Sequence, residues 1–131
     1  MDKHLQLVKN WLYKAVHDME MAKLAMEYKP ELRDLICFHC QQSVEKALKA
    51  YLVYLDIPFR KTHSLTYLLD LLVEHENISD EMYSDLEKLE SYAVEIRYPD
   101  NLYEPSEEEA KEALKIASKI VNFVINKIGT V

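Results

Sequence analysis

Apolar residues recur every three or four positions from the start of the chain. Leu5, Val8, Leu12, Ala15, Met19, Ala22 and Met26 share one face, so residues 3–28 read as a single long amphipathic helix. Pro30 fits the first turn of a second helix, where its missing N–H would have no intrahelical acceptor anyway. That helix runs to about Leu55, ahead of Pro58, and is apolar around much of its circumference. Ile36, Cys40, Val44, Ala47, Tyr51 and Leu55 line one side, with Leu48 and Leu52 beyond, a pattern that belongs at the centre of a fold. Leu65, Leu68, Leu69 and Leu72 mark a third helix through about His75, capped by Thr62 or Ser64. Ser79 caps a fourth, which carries Met82, Leu86, Leu89, Ala93 and Ile96 and is terminated by Pro99. After a loop over 99–105, Ser106 and Glu109 form a capping box for a last helix that ends near Gly129.

Composition agrees with this pattern. One glycine and four prolines leave almost no material for tight β-turns, which mostly need positive-φ residues. The expectation is therefore an all-α fold: an up-and-down antiparallel four-helix bundle with one additional short helix, forming a single domain over 1–131. A chain of 131 residues buries roughly 65–70% of the surface it exposes when unfolded. No apolar run approaches the ~20 residues that span a bilayer, and Asp2, Lys3 and His4 give the N-terminus no signal-peptide core. A soluble, cytoplasmic protein with no membrane partner is expected.

Charge narrows the classes of partner. The net charge is −7, unevenly spread: residues 1–65 carry 10 positive and 8 negative side chains, and residues 66–131 carry 6 and 15. An acidic chain is a poor non-specific DNA binder, because that binding scales with the number of phosphates neutralised. A nucleotide or RNA contact would have to come from a local basic pocket, and the acidic second half reads as a solvated face.

Several side chains could carry chemistry. His39, Gln42, Lys46 and Lys49 recur at spacings of 3, 4 and 3 on the second helix and so share one face; Gln41 and Glu45 lie on a neighbouring strip. Polar groups on a mostly apolar helix need partners. Either they are satisfied internally, Lys46 by Glu45 or Glu95 and His39 by a backbone carbonyl, or they line a cleft or interface and meet an anion. Phe59-Arg60-Lys61-Thr62-His63 is a short basic connection. His63 precedes the third helix, whose N-terminus would offer partial positive charge and free N–H groups. Arg97-Tyr98-Pro99-Asp100 sets a guanidinium in the last turn before a proline, and no histidine follows it. Arg60, Lys61, His63, Arg97 and the Lys46/Lys49 pair would make a positive patch if the bundle gathers them.

Other chemistries find no support. Cys37-Phe38-His39-Cys40 lies inside an uninterrupted helical pattern with no second cysteine pair, so it reads as two buried small residues one turn apart rather than a metal site. One glycine rules out a Gly-rich phosphate loop, and neither HExxH nor the ExxH signature of di-iron bundles occurs. No cofactor and no metal are expected.

Read together, these segments resemble the HEPN domain, a small helical family named for higher eukaryotes, prokaryotes and nucleotide binding. The resemblance rests on Trp11, Ala15 and Asp18, on Cys37 through Ala50, on Thr62-His63-Ser64-Leu65, and on Tyr92 to Asp100, in the right order over nearly the whole chain. It implies a homodimer and a minimal nucleotidyltransferase partner, as in toxin–antitoxin-like pairs. Many family members are RNases whose motif is an Arg followed after four to six residues by His. Arg97 matches that arginine, but Leu102, Tyr103 and Glu104 stand where the histidine would fall. Cleavage through a 2′-hydroxyl needs proton transfer as well as charge stabilisation, and Arg97 offers only the second. The resemblance therefore implies a non-catalytic module that binds a nucleotide or other anion through Arg97, His63, His39, Gln42, Lys46 and Lys49. One alternative is a metal-independent RNase or toxin with a rearranged active site that uses His39 or His63. Another is a purely structural interaction module. Tyr103 lies close to the position of a tyrosine that partner nucleotidyltransferases modify in some family toxins.

Overall fold

The computed structural model describes residues 2–93 and 104–129. Among these the chain forms five helices and no strand: α1 (Lys3–Tyr28), α2 (Arg33–Tyr54), α3 (Leu65–Leu72), α4 (Asp80–Tyr92) and α5 (Glu107–Ile128). None is long and apolar enough to cross a membrane.

Side-chain caps set most of the helix starts. Asp2, Ser64, Ser79 and Ser106 each accept a backbone N–H from the first turn that follows, and Ser106 with Glu109 completes the reciprocal capping box. α5 stops at Gly129, whose φ of +72° is a conformation open mainly to glycine, and its N–H closes on Ile125 O at 2.9 Å.

The start of α2 differs from the sequence expectation. Pro30 does not sit in its first turn. Lys29 leaves helical geometry, Leu32 N–H bonds back to Lys29 O at 3.0 Å, and the helix begins at Arg33 after a non-helical Leu32 that gives no side-chain cap. The turn closes through its own backbone bond, which takes up Lys29 O, the carbonyl that a helix starting at Pro30 would present to Arg33 N–H. α3 also ends earlier than expected, at Leu72; His75 and Glu76 N–H both bond back to Leu72 O and tighten the last turn.

α2 is the centre. It packs against all four other helices and contributes thirteen buried residues, among them Ile36, Cys40, Val44, Leu48 and Leu52. α1 covers one side with Val8, Ala15, Met19 and Ala22, and α5 covers another with Ile116, Ile120 and Val124. Leu48 is fully buried, so truncating it to Ala removes apolar contact and leaves a void, at about 2–5 kcal/mol. Leu5, placed on the buried face of α1 by its spacing, is 37% exposed.

The connection after α2 positions the site. Asp56 adopts φ +61°, Ile57 N–H bonds back to Leu52 O, and the chain turns through Pro58. Left-handed geometry is tolerable for Asp among non-glycine residues. The run from Phe59 to His63 then returns alongside α2, where Thr62 O accepts from Lys49 and His63 O from Gln41.

Candidate nucleotide and anion site

Two carboxylates organise the polar strip of α2. Asp18, on α1, accepts from His39 Nδ1 at 2.9 Å and from Lys46 Nζ at 2.6 Å. The two α2 residues are seven apart, two helical turns, so one carboxylate on the neighbouring helix reaches both. This corrects the partners expected from sequence: Lys46 pairs with Asp18 rather than Glu45, and His39 bonds a carboxylate rather than a backbone carbonyl. Glu95 lies outside the described residues.

Glu45 is the second centre, and its side chain is almost wholly buried. Its Oε2 accepts from Lys49 at 3.0 Å and its Oε1 from His63 Nδ1 at 3.0 Å. Lys49 gives a further hydrogen to Thr62 O at 2.9 Å. Gln41 donates to His63 O at 3.2 Å, and Gln42 donates to Gln41 Oε1 at 2.8 Å. Burying an ion pair is tolerable only with such accompanying bonds.

These residues border a cleft of about 440 Å³ between α1, α2 and the 59–63 segment. Trp11 and Phe59 form apolar walls. Lys49 and Glu45 contribute at its base, and Gln42, Lys46, Lys61, Thr62 and His63 complete its lining. The Lys49 ammonium lies 5.4 Å from the Trp11 ring centre and 6.0 Å from that of Phe59, close enough for cation–π attraction. Lys49 is thereby held by a carboxylate, a carbonyl and two rings. Lys61 is exposed and has no ion-pair partner among the described residues. The His63 side chain is 76% exposed; Nδ1 is committed to Glu45. A smaller hollow of about 190 Å³ adjoins on the other side of His63, lined by Gln41, Gln42, His63, Glu90 and Ala93.

Of the residues singled out from sequence, Gln42, Lys46, Lys49 and His63 thus share one cleft. His39 does not line it but joins it through Asp18. Arg60 lies away from the lining, its guanidinium 4.1 Å over the Tyr67 ring. The α3 N-terminus is not open to an anion: Glu90 Oε1 accepts from Leu65 N at 2.5 Å and Thr66 N at 3.3 Å, and Ser64 Oγ accepts from Tyr67 N. Arg97, Tyr98, Pro99, Asp100 and Tyr103 lie outside the described residues. Cys37 and Cys40 are both fully buried, and burial with the neighbouring Cys37 pushes the Cys40 thiol well up from its ordinary range.

Sequence reasoning did not place Trp11, Phe59, Asp18 or Glu90 at the site. One signal was available: Glu45 and Lys49 are four apart on α2, the spacing of a helical ion pair. The rings gave none, since aromatic residues at helical or loop positions more often belong to the core.

The fold agrees with that of known proteins this chain is similar to. The HEPN domain model matches residues 8–128, and the chain belongs to that family. It is 29% identical to a candidate toxin of Methanocaldococcus jannaschii, over 92% of this chain and 88% of that protein. It is also 39% identical over 66 residues to a histidine–tRNA ligase of Aquifex aeolicus; that match takes in 49% of this chain and only 16% of the ligase. Among solved structures, an archaeal HEPN homologue superposes with a TM-score of 0.72 at 26% identity, covering 93% of this chain and 98% of its own. A Thermus thermophilus protein superposes at 0.76 and 30% identity, covering 92% and 97%. An HEPN domain protein of Thermotoga maritima shares the fold at 22% identity and a TM-score of 0.61, covering 99% and 100%.

Proposed function

We propose that this HEPN-domain protein is the non-catalytic, nucleotide-binding member of a toxin–antitoxin-like pair, acting as a homodimer with a minimal nucleotidyltransferase. One observation carries the binding reading: a single cleft joins two aromatic walls, Trp11 and Phe59, to an edge of N–H donors on Lys46, Lys61 and His63. Nucleotides present the same two chemistries, a flat apolar base and an anionic phosphate. A cleft of about 440 Å³ falls within the ~300–1,000 Å³ usual for small-ligand sites. Similarity to a candidate toxin supports the two-component setting. Large side chains left exposed on α1, Tyr13, Met21, Leu24 and Tyr28, supply apolar surface for a second copy.

Isothermal titration with AMP, GMP, ATP and GTP tests the binding. Saturable heat at micromolar to millimolar ligand is expected, and its absence at millimolar ligand would remove the nucleotide reading. Light scattering behind size exclusion tests the dimer, and affinity capture from the native host tests the nucleotidyltransferase partner.

One geometry favours a second reading, an RNase with a rearranged site. A buried carboxylate bonded to Nδ1 of an exposed imidazole, as Glu45 is to His63, is the arrangement that orients a general base. RNA cleavage by the purified protein that is lost in His63→Ala would replace the binding-only account.

A further inference from the structure

We infer that the cleft selects nucleotides carrying a single phosphate and discriminates against di- and triphosphates. This rests on the nucleotide-binding reading above and adds the ligand class. What decides it is which charges a phosphate can meet there. Lys46 and Lys49 are already compensated, by Asp18 at 2.6 Å and Glu45 at 3.0 Å. Lys61 is the one cleft lysine without a carboxylate partner among the described residues, and His63 is the one imidazole in the lining. Two residues apart on the connecting segment and both in the lining, they are the donors assigned to a single phosphoryl group.

Past His63, among the described residues, the charged group is acidic: Glu90 lines the adjoining hollow, while Glu45, in the lining of the cleft itself, is already held by Lys49 and His63. Glu90 also occupies the N-terminus of α3, holding the N–H groups of Leu65 and Thr66. A helix start is where a further phosphate would ordinarily find donors and positive potential. Here a carboxylate fills it from within. A β- or γ-phosphate extending past His63 into that hollow would meet the Glu90 carboxylate, a like charge. Mismatched like charges are a common basis for rejecting near-identical ligands.

The test is calorimetry on the full chain with adenosine, AMP, ADP and ATP at matched ionic strength and without divalent cations. AMP is expected to bind about tenfold or more tightly than ATP, and several-fold more tightly than adenosine. Lys61→Met, at an exposed position, is expected to bring AMP down to the adenosine level. Glu90→Gln, which keeps an acceptor for the α3 N–H groups, is expected to narrow the gap between AMP and ATP. Affinity that rises from AMP through ADP to ATP would overturn the inference while leaving nucleotide binding intact. Binding of none of the four would overturn both.

Discussion

Lys46 Nζ lies 2.6 Å from Asp18 Oδ2, an ion pair that ties α2 to α1 while the same carboxylate holds His39. Both partners are largely shielded from solvent, so removing one leaves the other poorly solvated. Asp18→Ala is expected to destabilise the protein by about 1–3 kcal/mol, since it orphans two donors. Lys46→Met, which removes the half-buried cation instead, costs less because His39 still satisfies Asp18. Thermal or urea unfolding of the two variants checks the order, and equal losses would contradict it.

The Glu45 network behaves as a unit. Glu45→Gln weakens three contacts at once, to Lys49, His63 and Gln41. The expected loss is about 3–5 kcal/mol, as for a buried pair deprived of one partner. Lys49→Met combined with Glu45→Gln is expected to be less damaging than the two single losses added together, because neither charge is then stranded. A double-mutant cycle in urea measures that coupling.

Glu76 gives a pH dependence with a definite sign. The Tyr51 hydroxyl donates to its Oε2 at 2.5 Å, and this bond, with Lys127 3.0 Å away and against the opposing effect of burial, holds the carboxyl below its usual range. A carboxyl with a lowered folded-state value contributes stability above its unfolded value and loses it as pH falls through the folded one. Stability is therefore expected to decline as pH drops below the ordinary glutamate range of about 4.3. Glu76→Gln and Tyr51→Phe are expected to flatten that decline. Urea unfolding at several pH values between neutrality and acid checks this, and an unchanged profile in both variants would refute it.

Cys37 and Cys40 are core residues rather than reactive ones. Both are fully buried, and the Cys40 thiol is pushed up by that burial. Only thiolate reacts readily. No labelling by an aromatic disulfide reagent is expected at mildly alkaline pH in the folded protein, with both groups titrating once guanidinium unfolds it.

How far the sequence reached can be argued from these same residues. The helices were legible because their apolar spacing and capping serines are local: Ser64, Ser79 and Ser106 needed no tertiary information. The start of α2 was not, because a backbone bond from Leu32 to Lys29 outweighed the usual place of proline. His39, Gln42, Lys46 and Lys49 were found together because helical spacing gathers them. Their partners were hidden for a different reason. Asp18 is 28 residues from Lys46, and Glu90 is 25 from Leu65, and nothing local encodes such pairings. Trp11 and Phe59 looked like packing residues, and it takes the return of the 59–63 segment to set them across a cleft.

The claim on which the account depends most is that this cleft binds a nucleotide. The chain has one tryptophan, Trp11, and it forms a wall of the cleft. Titrating the protein with AMP while following tryptophan fluorescence therefore reads the site itself. The account predicts a saturable change in emission that is strongly weakened in Lys61→Met. Emission that stays flat up to millimolar AMP, or a change that Lys61→Met leaves untouched, would contradict it.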